Sequence, residues 1–194
     1  MDRETELDLV QRLRAGDRAA FDLVYDAFNI RLFTFLVRLT RNRAKAEDLL
    51  EDTWLRLVTH ADRLKVDTRL GPWLFTVARN LYVTWCRSRA VEESSADLTL
   101  GLWPPPHAAS PFEETAANEL ERRLEAALAG LPTTYREVLL LVSVEGLEPS
   151  VAAAICGISA PAFRQRLKRA RDLLARRLES AALPRNMKLR EALP

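Results

Sequence analysis

The stretch Leu147–Arg177, LEPSVAAAICGISAPAFRQRLKRARDLLARR, decides the fold. It reads as a short apolar helix, a tight turn at Cys156-Gly157-Ile158-Ser159, and a second, longer helix. Gly157 supplies the positive φ that ends a helix. Ser159 is placed to cap the next one, and Pro161 falls in its first turn, where no intrahelical bond is lost. Phe163, Leu167, Ala170 and Leu174 recur at i, i+4, i+7 and i+11, so they share one face. Arg164, Gln165, Lys168 and Arg169 project from the other. Docking the apolar face on Val151, Ala152 and Ile155 leaves a cationic face for a DNA major groove, which is the plan of a helix-turn-helix. A basic face on an isolated helix is usually only a solvated surface; the tight turn and the apolar first helix favour DNA here.

The totals restrict the alternatives. A chain of 194 residues fits one or two domains, and 48% apolar residues suffice for their cores. The formal net charge is only +2, so no global field draws nucleic acid and the local distribution matters instead. From Arg164 to Arg177 Asp172 is the one acid among many cations. From Val91 to Glu125 the acids dominate. Cys86 and Cys156 fall within predicted helices and read as reduced, buried thiols. There is no signal-peptide pattern and no run of roughly 18 apolar residues, so the expectation is a soluble cytoplasmic protein with no membrane insertion. His60 and His107 are isolated, no His/Cys/Asp cluster has metal spacing, and no Gly-rich phosphate loop occurs. An enzyme is the poorest reading, and no cofactor is expected.

Upstream, the pattern is helical throughout. Leu7, Val10 and Leu13, with Leu9 beside them, mark a short helix stopped by Gly16, and Asp17 can cap the next. Phe21, Val24, Tyr25, Phe28, Leu32, Phe35, Leu36 and Leu39 form a broad apolar stripe to about Thr40. After the polar break Thr40–Arg43, a third helix carries Leu50, Trp54, Leu57 and Val58 as its predicted core face. Glu47, Asp48, Glu51 and Asp52 cluster near its start. They partly complement the helix dipole, and they offer a docking surface to a basic partner. The loop Asp62–Pro72 holds Lys65 and Arg69. From Trp73 to about Arg89 a fourth helix places Leu74, Val77, Leu81 and Trp85 toward the core. Thr76, Arg79, Asn80, Val83 and Arg87 fall opposite, a face with donors for bases and charge for phosphates.

Residues 91–112, with Glu92-Glu93-Ser94-Ser95 and Pro104-Pro105-Pro106, predict a flexible acidic, Pro-rich linker. Helical periodicity resumes at Leu120, Leu124 and Leu128. Gly130-Leu131-Pro132 interrupts it, Thr133 or Thr134 is placed to cap the next helix, and Gly146 ends that helix before the helix-turn-helix. The expected architecture is all-α: one helical bundle over 1–90, the linker 91–112, a second bundle over 113–183 and a frayed tail over 184–194.

Two small helical DNA-binding units on a tether resemble the extracytoplasmic-function (ECF) sigma factors of bacterial RNA polymerase. The resembling residues are Gly16-Asp17, Ala46-Glu47-Asp48-Leu49, Thr53-Trp54-Leu55-Arg56, Trp73-Leu74-Phe75 and Ala78-Arg79-Asn80-Leu81. In the second unit they are Leu131-Pro132, Tyr135 to Leu141, Glu145-Gly146-Leu147, Arg166-Leu167 and Arg169-Ala170-Arg171. It is the ordered set over both units that is specific. The resemblance implies that Glu47, Asp48, Glu51 and Asp52 dock on core RNA polymerase. It implies that the loop with Lys65 and Arg69 and the helix with Thr76, Arg79, Asn80 and Arg87 open and read the minus-ten element of promoter DNA. Arg164, Gln165, Lys168, Arg169 and Arg171 would then read the minus-thirty-five element. An anti-sigma factor is a further implied partner.

The sequence departs from the family pattern at Glu148-Pro149-Ser150-Val151-Ala152 and at Ser159-Ala160-Pro161-Ala162-Phe163, where small polar contacts are usual. That departure motivates a second reading, a diverged sigma-like regulator or mimic that binds an anti-sigma factor without productive promoter recognition. A helix-turn-helix repressor with a ligand-binding first unit is a third, supported only by the aromatic content of the first unit.

Overall fold

The computed structural model describes residues 2–96 and 119–182. The predicted linker beyond residue 96, the expected start of the second bundle at 113–118 and the tail 184–194 lie outside the described residues.

The first unit is four helices: α1 (Arg3–Arg14), α2 (Arg18–Thr40), α3 (Arg43–His60) and α4 (Leu70–Ala96). Local chemistry sets their ends. Asp2 caps α1 by accepting from the Thr5 amide at 2.9 Å. Gly16 turns the chain at φ +77°, and the Asp17 carboxylate accepts from the Ala19 amide at 2.8 Å to start α2. Arg12 holds the same carboxylate at 2.8 Å, and this hydrogen bond lowers the Asp17 pKa. Asn42 caps α3 through the Lys45 amide at 3.0 Å. Val10, Val24, Leu32, Phe35, Leu36, Leu57, Leu74 and Phe75 are fully buried between the helices, with Phe35 and Phe75 edge to face at 5.3 Å.

The second unit comprises α5 (Glu119–Ala129), α6 (Thr133–Leu139), a wide π-type turn at Leu140–Val144, α7 (Pro149–Cys156) and α8 (Ala160–Ala182). Gly157 adopts φ +65°, as the turn requires. Phe163, Leu167 and Ala170 are buried. The predicted threonine cap of α6 does not form; Pro132 precedes the helix and no side chain caps it.

Two helix faces differ from expectation. On α3 the buried residues are Ala46, Leu49, Thr53, Trp54 and Leu57, whereas Leu50 is half-buried and Val58 is 58% exposed. On α4, Leu74, Phe75, Ala78 and Tyr82 are buried, and Val77, Leu81 and Trp85 are only partly so. Both helices carry apolar residues around more than half their circumference, so periodicity alone cannot choose the inward side. Helix α4 also runs on to Ala96, past the expected boundary near residue 90.

The two units share one core. Helix α4 packs on α7 and α2 touches α6, and a single hydrophobic cluster runs from Leu9 to Ala170. Arg136, 4% exposed, fastens this junction. Its guanidinium donates to the carbonyls of Leu128, Ala129 and Leu131 at the end of α5, and to those of Arg38 and Leu39 at the end of α2. A cation at two helix C-termini meets carbonyls that have no partner within their own helices.

Candidate nucleic-acid interface

Helix α8 presents the face the sequence assigns to DNA. Arg164, Gln165, Lys168, Arg169 and Arg171 are all exposed while the opposite stripe is sealed in the core. Arg164, Lys168 and Arg171 line one side of an open groove of about 390 Å³, with Pro149 of α7 on its rim and Asp172 as its acid. Three cations along one groove could pair with successive phosphates. Ser159 caps α8 loosely, its hydroxyl 3.4 Å from the Ala162 amide.

In the first unit the candidates scatter. Lys65 and Arg69 are exposed on the loop before α4. That loop is tied to α1 at two points. Arg3 donates to the Asp67 carbonyl at 2.7 Å, and Glu6 accepts from the Leu70 amide at 2.7 Å while holding Arg3 at 3.0 Å. Neither Arg3 nor Glu6 was singled out from the sequence, because a contact across 64 residues leaves no local pattern. Asn80 and Arg87 are exposed on α4. Thr76 is half-buried and donates its hydroxyl to the Pro72 carbonyl at 2.7 Å, so its side chain bonds back to its own helix. Arg79 does not stand free. Its Nε donates to Glu137 of α6 at 2.6 Å, and its side chain is 19% exposed.

Asn80 instead joins residues expected in the core. With Trp73, Val77, Leu81 and Thr84 of α4, and Arg56 and His60 of α3, it lines an open groove of about 300 Å³. An indole face, an amide and a guanidinium in one groove can stack and hydrogen-bond an unpaired base. Val77 and Leu81 look like core residues in sequence because an aliphatic residue at helical spacing carries no mark of which side it faces.

The acidic residues of α3 are exposed, and two of them pair within the helix: Glu47 with Arg43 at 2.9 Å and Asp48 with Lys45 at 3.4 Å. Glu51 and Asp52 face solvent one turn on. Leu55, 60% exposed, and Val58 continue the strip from Glu51 at i+4 and i+7. Acid and apolar side chains thus share one uncovered face.

Several titrating groups cluster where the units meet. Burial, chiefly, pushes the Tyr82 phenol up, and the neighbouring Cys86 adds to the shift. Burial, then the nearby Glu137 charge, pushes the Cys156 thiol up to about 12. Burial lowers Arg136 to about 10. Glu145 is raised, again by burial first, with Arg31 opposing. Among the described residues no helix is long and apolar enough to cross a membrane, and no group of three His, Cys, Asp or Glu residues could hold a metal ion.

The geometry defines a two-unit helical DNA-binding protein whose second unit is a helix-turn-helix. Residues 24–91 match the family described as Sigma-70 region 2, and residues 121–174 match Sigma-70, region 4. The chain is 36% identical over 148 residues to the ECF RNA polymerase sigma factor EcfG of Rhodopseudomonas palustris strain TIE-1, covering 74% of this chain and 77% of the relative. It is 31% identical over 153 residues to the ECF RNA polymerase sigma factor SigM of Bacillus subtilis strain 168, covering 79% and 91%. Among solved structures, the sigma factor RpoE of Bartonella quintana, in complex with the anti-sigma factor NepR, superposes with a TM-score of 0.64 at 30% identity, covering 81% and 92%. The chain belongs to the ECF RNA polymerase sigma factors. It is a transcription initiation factor that directs RNA polymerase to promoters, and not an enzyme.

Proposed function

We propose that this sigma factor acts in the cytoplasm, docking core polymerase through Glu47, Asp48, Glu51 and Asp52 of α3 together with Leu55 and Val58. The exposed pair Leu55 and Val58 carries the reading, because they stand beside Glu51 and Asp52 on one helix face, and apolar side chains flanked by acids are what a basic-rimmed protein partner covers. Asn80 and the groove around it take unpaired bases of the minus-ten element, with Lys65, Arg69 and Arg87 on the flanking phosphates. Arg79 joins them when the units separate, and Thr76 contributes through the helix it braces. Arg164, Gln165, Lys168, Arg169 and Arg171 lie in the major groove at the minus-thirty-five element. The complex of RpoE with NepR supports an anti-sigma protein as the antagonist of this chain as well.

Run-off transcription with core polymerase over a promoter library tests the whole reading, and specific start sites are expected. Asn80→Ala should lower promoter opening at least tenfold while leaving polymerase affinity unchanged. Loss of polymerase binding by that variant would place Asn80 on the wrong surface. Asn80 is a cleaner probe than Arg79, whose removal strands Glu137.

A further inference from the structure

We propose that Glu6, assisted by Arg3, is a positioning residue for promoter opening: from α1 it fixes the loop and the first turn of α4 that take the minus-ten strand. This role rests on the promoter reading proposed above for that loop and for the groove at Asn80.

Both oxygens of the Glu6 carboxylate are used. Oε1 accepts from the Leu70 amide at 2.7 Å, and Oε2 holds Nη1 of Arg3 at 3.0 Å. The other amino group of Arg3, Nη2, donates to the Asp67 carbonyl at 2.7 Å. These bonds close a ring from Asp67 to Leu70 with Thr68 and Arg69 inside it. The Thr68 amide donates to the Lys65 carbonyl at 2.9 Å, and the Trp73 amide donates to the Arg69 carbonyl at 3.0 Å. Lys65, Arg69 and Trp73 are therefore all carried on backbone that is bonded to the ring or lies within it. Leu70 opens α4, so its amide is one of the first-turn donors that have no acceptor within their own helix. Glu6 satisfies it from 64 residues away.

The support is rigid where the loop is not. Leu9, Val10 and Leu13 seal α1 into the core, α1 also packs on the turn Ala61–Arg63, and the Glu6 side chain is only 13% exposed. Between the buried Leu64 and Leu70, the side chains of Lys65, Val66, Asp67 and Arg69 stand in solvent. A segment with so little packing keeps its shape through its polar ties. Held in that shape, it need not be ordered again when the strand binds. One carboxylate serves loop and helix together, so it sets Arg69 relative to Trp73 and to Asn80, seven residues further along the same face of α4.

Open-complex formation by holoenzyme, on a promoter recovered from run-off transcription, tests the assignment. Permanganate reactivity of unpaired thymines, followed in time at several holoenzyme concentrations, separates initial binding from the opening step. Glu6→Ala should slow opening about tenfold and leave initial binding and affinity for core polymerase within about twofold. Glu6→Gln keeps an oxygen for the Leu70 amide and should recover most of the rate. Arg3→Ala, at an exposed position, should slow opening about threefold and add nothing to Glu6→Ala, because the two act through one ring. Opening unchanged in Glu6→Ala and Arg3→Ala overturns the proposal. So does a Gln variant no better than Ala, or a folded Glu6→Ala chain that loses polymerase affinity, since either makes the contact merely structural. Should Glu6→Ala fail to fold, Arg3→Ala decides, slowed opening supporting the role and an unchanged rate overturning it. Asn80→Ala measured alongside separates the two readings. If it slows opening and Glu6→Ala does not, the positioning role alone fails; if neither does, promoter reading by α4 fails with it.

Discussion

Arg136 shows how much one side chain can organise. Its five carbonyl acceptors belong to two helix ends, those of α5 and α2. Arg136→Met fills a similar volume and removes every donor, leaving buried carbonyls without partners. We expect a loss of about 3 kcal/mol or more, measured by denaturant unfolding. Cys156 gives a pH signature. Its thiol is pushed up to about 12 in the folded chain, from an ordinary value of 9.0. A raised pKa means that the neutral thiol is favoured by folding. Its stabilising contribution is therefore complete below about pH 9 and is lost as pH rises toward 12. The loss approaches roughly 1.4 kcal/mol per pH unit within that window. Cys156→Ala should flatten the fall in stability between pH 9 and 11. An identical slope in both proteins would show that the thiol does not carry it. At pH 8 the same shift keeps Cys156 almost wholly protonated, so iodoacetamide should modify Cys86 first.

Helix α3 ties fold and function at the scale of a single element. One side, Leu49, Trp54 and Leu57, fills the core; another, Leu55 and Val58, stays in solvent beside Glu51 and Asp52. Leu55→Gln and Val58→Gln should each weaken polymerase binding roughly tenfold while changing folding stability by less than about 0.5 kcal/mol. A large stability change would return these residues to the core. The acids of α3 begin only in the second turn, at Glu47, after Arg43 and Lys45 in the first, and its existence was legible from its polar break and its apolar spacing. Its orientation was not, because Leu49, Leu50, Leu55, Leu57 and Val58 offer apolar positions on two sides and only neighbouring helices choose between them. The same holds for α4, where Phe75, Ala78 and Tyr82 turn inward and Trp73, Val77 and Leu81 line a groove. The helix-turn-helix was read almost completely, since Gly157, Phe163, Leu167 and Ala170 encode their geometry within one short stretch. Pairs such as Arg79 with Glu137 lie 58 residues apart and leave no periodic trace.

At the scale of the whole molecule, the sequence predicts two bundles on a tether, and the structure joins them through a common core. Leu39, Tyr82, Val138 and Ala153 belong to one buried cluster, and Arg31, Arg38 and Arg79 meet acids of the other unit. Separating the units would expose that apolar surface and leave buried charges to rehydrate, so neither unit is indifferent to the loss of the other. The full chain should therefore unfold in one transition on heating, with calorimetric and van't Hoff enthalpies equal. In the chain carrying Glu125→Gln and Glu137→Gln, the contact is weakened without touching either unit's own helices. Its scan should broaden or split, with calorimetric enthalpy exceeding the van't Hoff value. Two well-separated transitions in the unaltered protein would mean that the shared cluster contributes little, and that each bundle is stable without the other.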